Sequence, residues 1–90
     1  MMEISVGSVV ISKAGRDKTD WFIVLGLDGD YAMLANGASR KVDKPKKKKL
    51  KHLQMTNYIS DFIKEKMKNS GTVEDFELRN ALSEFKGADC

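Results

Sequence analysis

The chain has 90 residues, 41% of them hydrophobic and 32% charged, which fits one small globular domain and excludes both two catalytic domains and wholesale disorder. No uncharged apolar run approaches the roughly 18 residues needed to cross a bilayer, Met1 to Ser12 lacks the basic start of a secretory signal, and the single cysteine, Cys90, permits no intramolecular disulfide, so a cytoplasmic protein is expected. One histidine and one cysteine cannot assemble a Cys/His zinc site within the chain, and the formal charge is +3.

Ser8 to Ser12 (SVVIS) is rich in β-branched residues and reads as a first strand. A charged loop, Lys13 to Asp20, separates it from a second apolar run, Trp21 to Leu27. Asp28-Gly29-Asp30 supplies turn chemistry, Tyr31 to Ala35 gives a third strand, and Asn36-Gly37 marks the next turn. A short fourth strand is expected near Arg40 to Val42. Pro45 and the lysine run Lys46 to Lys49 then break the pattern, and Leu50 to Leu53 alternates as a short closing strand should. Five short strands in so few residues predict a small closed or nearly closed barrel, because closure removes exposed edges.

From Met55 the period changes to that of a helix, with Met55, Tyr58, Ile59, Phe62, Ile63 and Met67 on one stripe. Thr56 or Asn57 is expected to cap its start and Gly71 to end it. A second helix is expected from Asp75, with Leu78, Ala81, Leu82 and Phe85 on its apolar side. The expected division is a β-barrel over 1–54 and a helical appendage over 55–90. Neither helix is long enough to stand alone in water, so both should pack on each other or on the barrel.

Catalytic chemistry is poorly provided for. A serine or cysteine nucleophile wants a nearby imidazole, and the one histidine, His52, sits among lysines without a carboxylate to orient it. Cys90 at the terminus reads as incidental. No phosphate-loop spacing occurs, and Asp28-Gly29-Asp30 lacks the remaining ligands of a calcium loop. We therefore expect no enzyme, no cofactor, no metal and no small-molecule substrate.

What remains is basic charge. Residues 1–40 carry four bases against five acids, and residues 55–90 five bases against seven acids. Residues 41–54 carry seven lysines against Asp43, a local +6 that accounts for all the excess. Clustered lysines hold counterions that a polyanion releases, so nucleic acid is the natural partner. Lysines on phosphates position a ligand without reading its bases, so recognition of folded-RNA shape is expected. A solvated lysine loop is the bland alternative. Pro45 and the anchoring Leu50 and Leu53 favour presentation from a scaffold instead. A second basic site lies in the loop Lys13 to Lys18, where Gly15 can bring backbone close to a phosphate. Trp21 opens an apolar strand and is expected in the core rather than stacked on a base.

The order SKAGRDK (Ser12 to Lys18), WFIVLG, YAML, NG and KPKKKKLKHL (Lys44 to Leu53) resembles a KOW-motif domain, in particular the large-subunit ribosomal protein family of the L-fourteen-e type and its small bacterial relatives, over about Val6 to Asn57. The resemblance implies an SH3-like barrel that binds RNA, typically ribosomal RNA, without catalysis, in a ribosomal or ribosome-associated role. Carried onto this chain, it makes Lys13, Gly15, Arg16 and Lys18 the motif loop and Lys46, Lys47, Lys48, Lys49, Lys51 and His52 the basic segment. Arg40, Lys41 and Lys44 extend that segment as candidate RNA contacts. Where many KOW loops have a second glycine, this chain has Thr19-Asp20, and Asp17 and Asp20 bring negative charge into the loop. The competing reading is a protein-interaction adapter whose barrel or helical tail docks a partner, with Tyr58, Phe62 and Phe85 as an exposed stripe.

Overall fold

Val9 and Val10 are neighbours in one strand, and Ile23 and Val24 in another, yet all four are fully buried. Successive strand residues point to opposite faces, so the sheet that contains them must be covered on both sides. A computed structural model, which describes residues 4–89 and side chains as far as Phe85, shows how.

Five strands form one antiparallel sheet: β1 (Ser8–Ser12), β2 (Trp21–Asp28), β3 (Tyr31–Ala35), β4 (Lys46–Lys49) and β5 (Leu53–Ile59), in the order β4-β3-β2-β1-β5. Single-turn 3₁₀ helix Leu50–His52 links the last two, and helices α1 (Asp61–Ser70) and α2 (Asp75–Asp89) follow. On one face Val10, Phe22, Val24, Ala32, Leu34 and Leu53 form a core flanked by Ile4 and Leu50. On the other, Val9, Ile23 and Ala35 pack with Ile63, Val73, Leu78, Ala81 and Leu82 from the helical region. The helices are therefore the second wall of the sheet, and β5 runs straight through the expected 54/55 boundary.

The first three strands lie where the sequence puts them, and the remaining expectations need correction. The segment Arg40–Val42 is not a strand. It is a loop whose Val42 N–H donates to Asp75 Oδ1 (2.8 Å). The tetralysine is itself the fourth strand, paired in register with Tyr31, Ala32, Met33 and Leu34. Lysine is a weak strand former, but the backbone ladder offered by β3 overrides that preference, and Pro45 stands just outside the strand, where its missing N–H costs nothing. Leu50 to His52 turn instead of extending, and the closing strand begins at Leu53.

The first helix starts later than expected, after Ser60, whose hydroxyl accepts from Ile63 N–H (3.3 Å). Met55, Tyr58 and Ile59 belong to β5, because β1 needs a second partner, and the Thr56 hydroxyl donates to Val9 O (2.7 Å) beside an irregularity in that pairing. Gly71 ends α1 with φ +77°, as expected. Glu77 folds back to accept from Glu74 N–H (2.8 Å) and so caps the start of α2, leaving Asp75 free to hold the Val42 loop. Pairing is interrupted between Val24 and Gly26 and between Ser8 and Val10, and such interruptions bend a sheet. The sheet is nonetheless open, with β4 and β5 at its edges, so the expected closure is not what the ladder shows. No helix among the described residues is long and apolar enough to cross a membrane. Cys90 and Met1 to Glu3 lie outside the described residues.

Candidate nucleic-acid interface

A strand of four lysines must divide them between two faces. Lys46 and Lys48 lie opposite Leu34 and Ala32 and turn to the Lys13–Asp20 loop, while Lys47 and Lys49 lie opposite Met33 and Tyr31 on the other face. The four lysines presented by the scaffold are thus split between two faces and do not form a single row.

Lys48 is only 9% exposed. A buried ammonium must be paired and hydrogen-bonded. Its Nζ donates to Asp17 Oδ1 (2.5 Å), Ser12 Oγ (2.7 Å) and the Ala14 carbonyl (2.7 Å), which uses all three of its protons. Lys46 Nζ lies 2.8 Å from Asp17 Oδ2, and the Ser12 hydroxyl donates to Asp17 Oδ1 (2.8 Å). Burial alone would raise the Asp17 carboxyl pKa, but hydrogen bonds from Lys46, Lys48 and Ser12 and the charge of Lys48 outweigh it and hold the group well below the usual carboxylate range.

This clasp shapes the loop. Gly15 has φ +86°, a backbone conformation suited to glycine, and its carbonyl accepts from Lys18 N–H (3.2 Å). Thr19 also takes a positive φ of 76°. Lys13 N–H donates to the His52 carbonyl (2.8 Å), tying the loop to the turn that follows β4. The loop and the Lys46/Lys48 face of β4 are therefore one surface, and Lys47 and Lys49 lie on the other. Asp17, which as sequence weakens the case for anion approach, is neutralised from below by two lysines.

The predicted site residues sort accordingly. Lys13, Gly15, Arg16 and Lys18 are exposed in the loop, and Lys47, Lys49 and Lys51 are exposed around β4. Lys46 and His52 are half-buried, and Lys48 is buried. Arg40, Lys41 and Lys44 sit on the β3–β4 connection, whose first part is fastened to α2 by Arg79 Nη1 donating to Gly37 O (2.6 Å) as well as by Asp75. They do not join the clasp.

Reading the sequence missed Tyr31. Its ring centroid lies 5.0 Å from Lys47 Nζ and 5.9 Å from Lys49 Nζ. The signal available was an i, i+2 lysine alternation, visible only once the run is taken as a strand. Trp21 behaves as expected, packed 4.9 Å from Phe85, which also meets Tyr58 at 5.0 Å. Of the expected docking stripe, Tyr58 and Phe85 are thus packed against the sheet and Phe62 is exposed, joined on the helical face by Phe76.

Compared with protein-family models and with curated proteins, the chain matches none.

Proposed function

We propose that this protein is a noncatalytic, cytoplasmic RNA-binding module with an SH3-like barrel of KOW type, acting on structured, ribosomal RNA in a ribosomal or ribosome-associated role. Four antiparallel neighbours, β1 to β4, followed by β5, which crosses back beside β1 after a 3₁₀ turn, support the barrel reading, as do the interruptions that bend β1, β2 and β5. The observation that carries the RNA reading is the clasp. Asp17 bridges Lys46 and Lys48, so the basic loop is held against the lysine strand and does not wave free of it.

The contact set narrows as a result. Lys13, Arg16 and Lys18 on the loop neutralise phosphates on one side of β4 and Lys47 and Lys49 on the other, with Lys51 in the turn that follows, while Lys46 and Lys48 hold the loop in place. With roughly four to six phosphates neutralised, affinity for a structured RNA falls about 10²- to 10³-fold between 50 and 200 mM salt. A titration across that range tests it, and a flat isotherm rejects it.

A protein-docking role is the second reading. Phe62 and Phe76, at 59% and 54% exposure, support it, since large exposed aromatics on a small domain mark contact surfaces. Charge reversal at Lys47, Lys49 and Lys51 would then leave partner capture intact while abolishing any RNA retention.

A further inference from the structure

The outer face of the β3–β4 edge has a chemistry that phosphate neutralisation alone does not call for. Tyr31 stands directly across from Lys49, and both Lys47 and Lys49 carry their ammonium groups over its ring. β4 is an edge strand with no further strand beyond it among the described residues. Lys47 also touches Asp28 Oδ2 at 3.0 Å, an ion pair of two exposed side chains. Such a pair is weak and is readily exchanged for a better anion.

Resting on the RNA reading above, we infer that Tyr31, Lys47 and Lys49 form a site for one unpaired nucleotide of the bound RNA. The base displaces the two ammonium groups from over the Tyr31 ring and stacks there, and the phosphates on either side of it take the released ammonium groups. Two lysines at i and i+2 on one strand face are roughly 6.6 Å apart along the strand, a spacing suited to successive phosphates of an extended chain. Aromatic faces accept any base, so the site recognises that a nucleotide is unpaired, not which one it is. Asp28 competes with the incoming phosphate for Lys47 and so weakens the site.

The test compares two RNAs of equal length, one a perfect duplex and one carrying a single unpaired 2-aminopurine. Wild-type protein should prefer the second and quench its fluorescence on binding. Tyr31→Leu should lose that preference by about tenfold and lose the quenching, Tyr31→Phe should keep both, and neither should alter duplex affinity. Asp28→Asn should tighten binding of the unpaired RNA. The quenching in wild-type protein is read without any variant, so a folding defect in Tyr31→Leu does not obscure the result. Unquenched 2-aminopurine with strong, salt-dependent binding of both RNAs would overturn the nucleotide site and leave the RNA reading standing. Absence of binding to either RNA at low salt would overturn both.

Discussion

Asp17 Oδ1 and Lys48 Nζ meet at 2.5 Å, joining a loop to an edge strand 31 positions further along the chain. Asp17 is 12% exposed on its side chain and Lys48 9%, so water does little to compensate either partner if the other is lost. Breaking such a pair leaves a buried charge. Asp17→Asn should therefore cost about 3 kcal/mol in chemical denaturation. The double variant Asp17→Asn with Lys48→Met should cost less than the sum of the two single changes, because it removes both charges together.

The same carboxylate makes stability depend on acid. Its folded pKa is lowered from an ordinary 3.8, after burial is outweighed by Lys46, Lys48 and Ser12, so the folded state binds that proton less readily than the unfolded chain. The stabilisation is complete above about pH 5 and is lost as pH falls below 4. Glu77, held down by Lys66 and the Glu74 amide, acts in the same direction. Melting temperature against pH should drop on the acid side, and Asp17→Asn should flatten that limb while lowering the plateau.

On the proposed RNA reading, the two faces of β4 separate structural lysines from binding ones. Lys48→Met should lower the melting temperature, whereas Lys47→Glu and Lys49→Glu should leave it within about 2 °C of wild type, as surface changes do. In RNA titrations the order reverses, and each of the two reversals should lower the slope of affinity against salt by at least about one counterion.

Gly37 pins the sheet to the helices. It has φ +77°, a Cβ there would fall on the Asp75 carbonyl oxygen, and its own carbonyl takes the Arg79 guanidinium. Gly37→Ala combines backbone strain with a backbone clash and should cost about 2 kcal/mol or more in denaturant. Gly29 has φ +58° with open space around it, so Gly29→Ala should lose only the conformational part, about 1 kcal/mol.

How much of this is legible in the sequence depends on how local the cause is. β1 and β2 are rich in β-branched or aromatic residues, and Asp28-Gly29 and Asn36-Gly37 bracket β3, so these strands announce themselves. β4 does not, because nothing within Lys46–Lys49 says that Tyr31–Leu34 lacks a partner. Met55, Tyr58 and Ile59 fit a helical stripe as well as a strand, and the choice is made by β1, more than forty positions upstream. The loop glycine and the basic segment are readable as separate features. Their union through Asp17 is not, since one of two aspartates in a basic loop carries no mark of what lies beneath it.

A border strand made of four lysines also governs how copies of the protein meet one another. Its free amide and carbonyl groups would otherwise invite a neighbouring molecule to extend the sheet. Two such borders approaching side by side would bring lysines opposite each other, which disfavours the match. The same rim that the RNA reading offers to a polyanion is thus a poor one for adding a second copy of the chain.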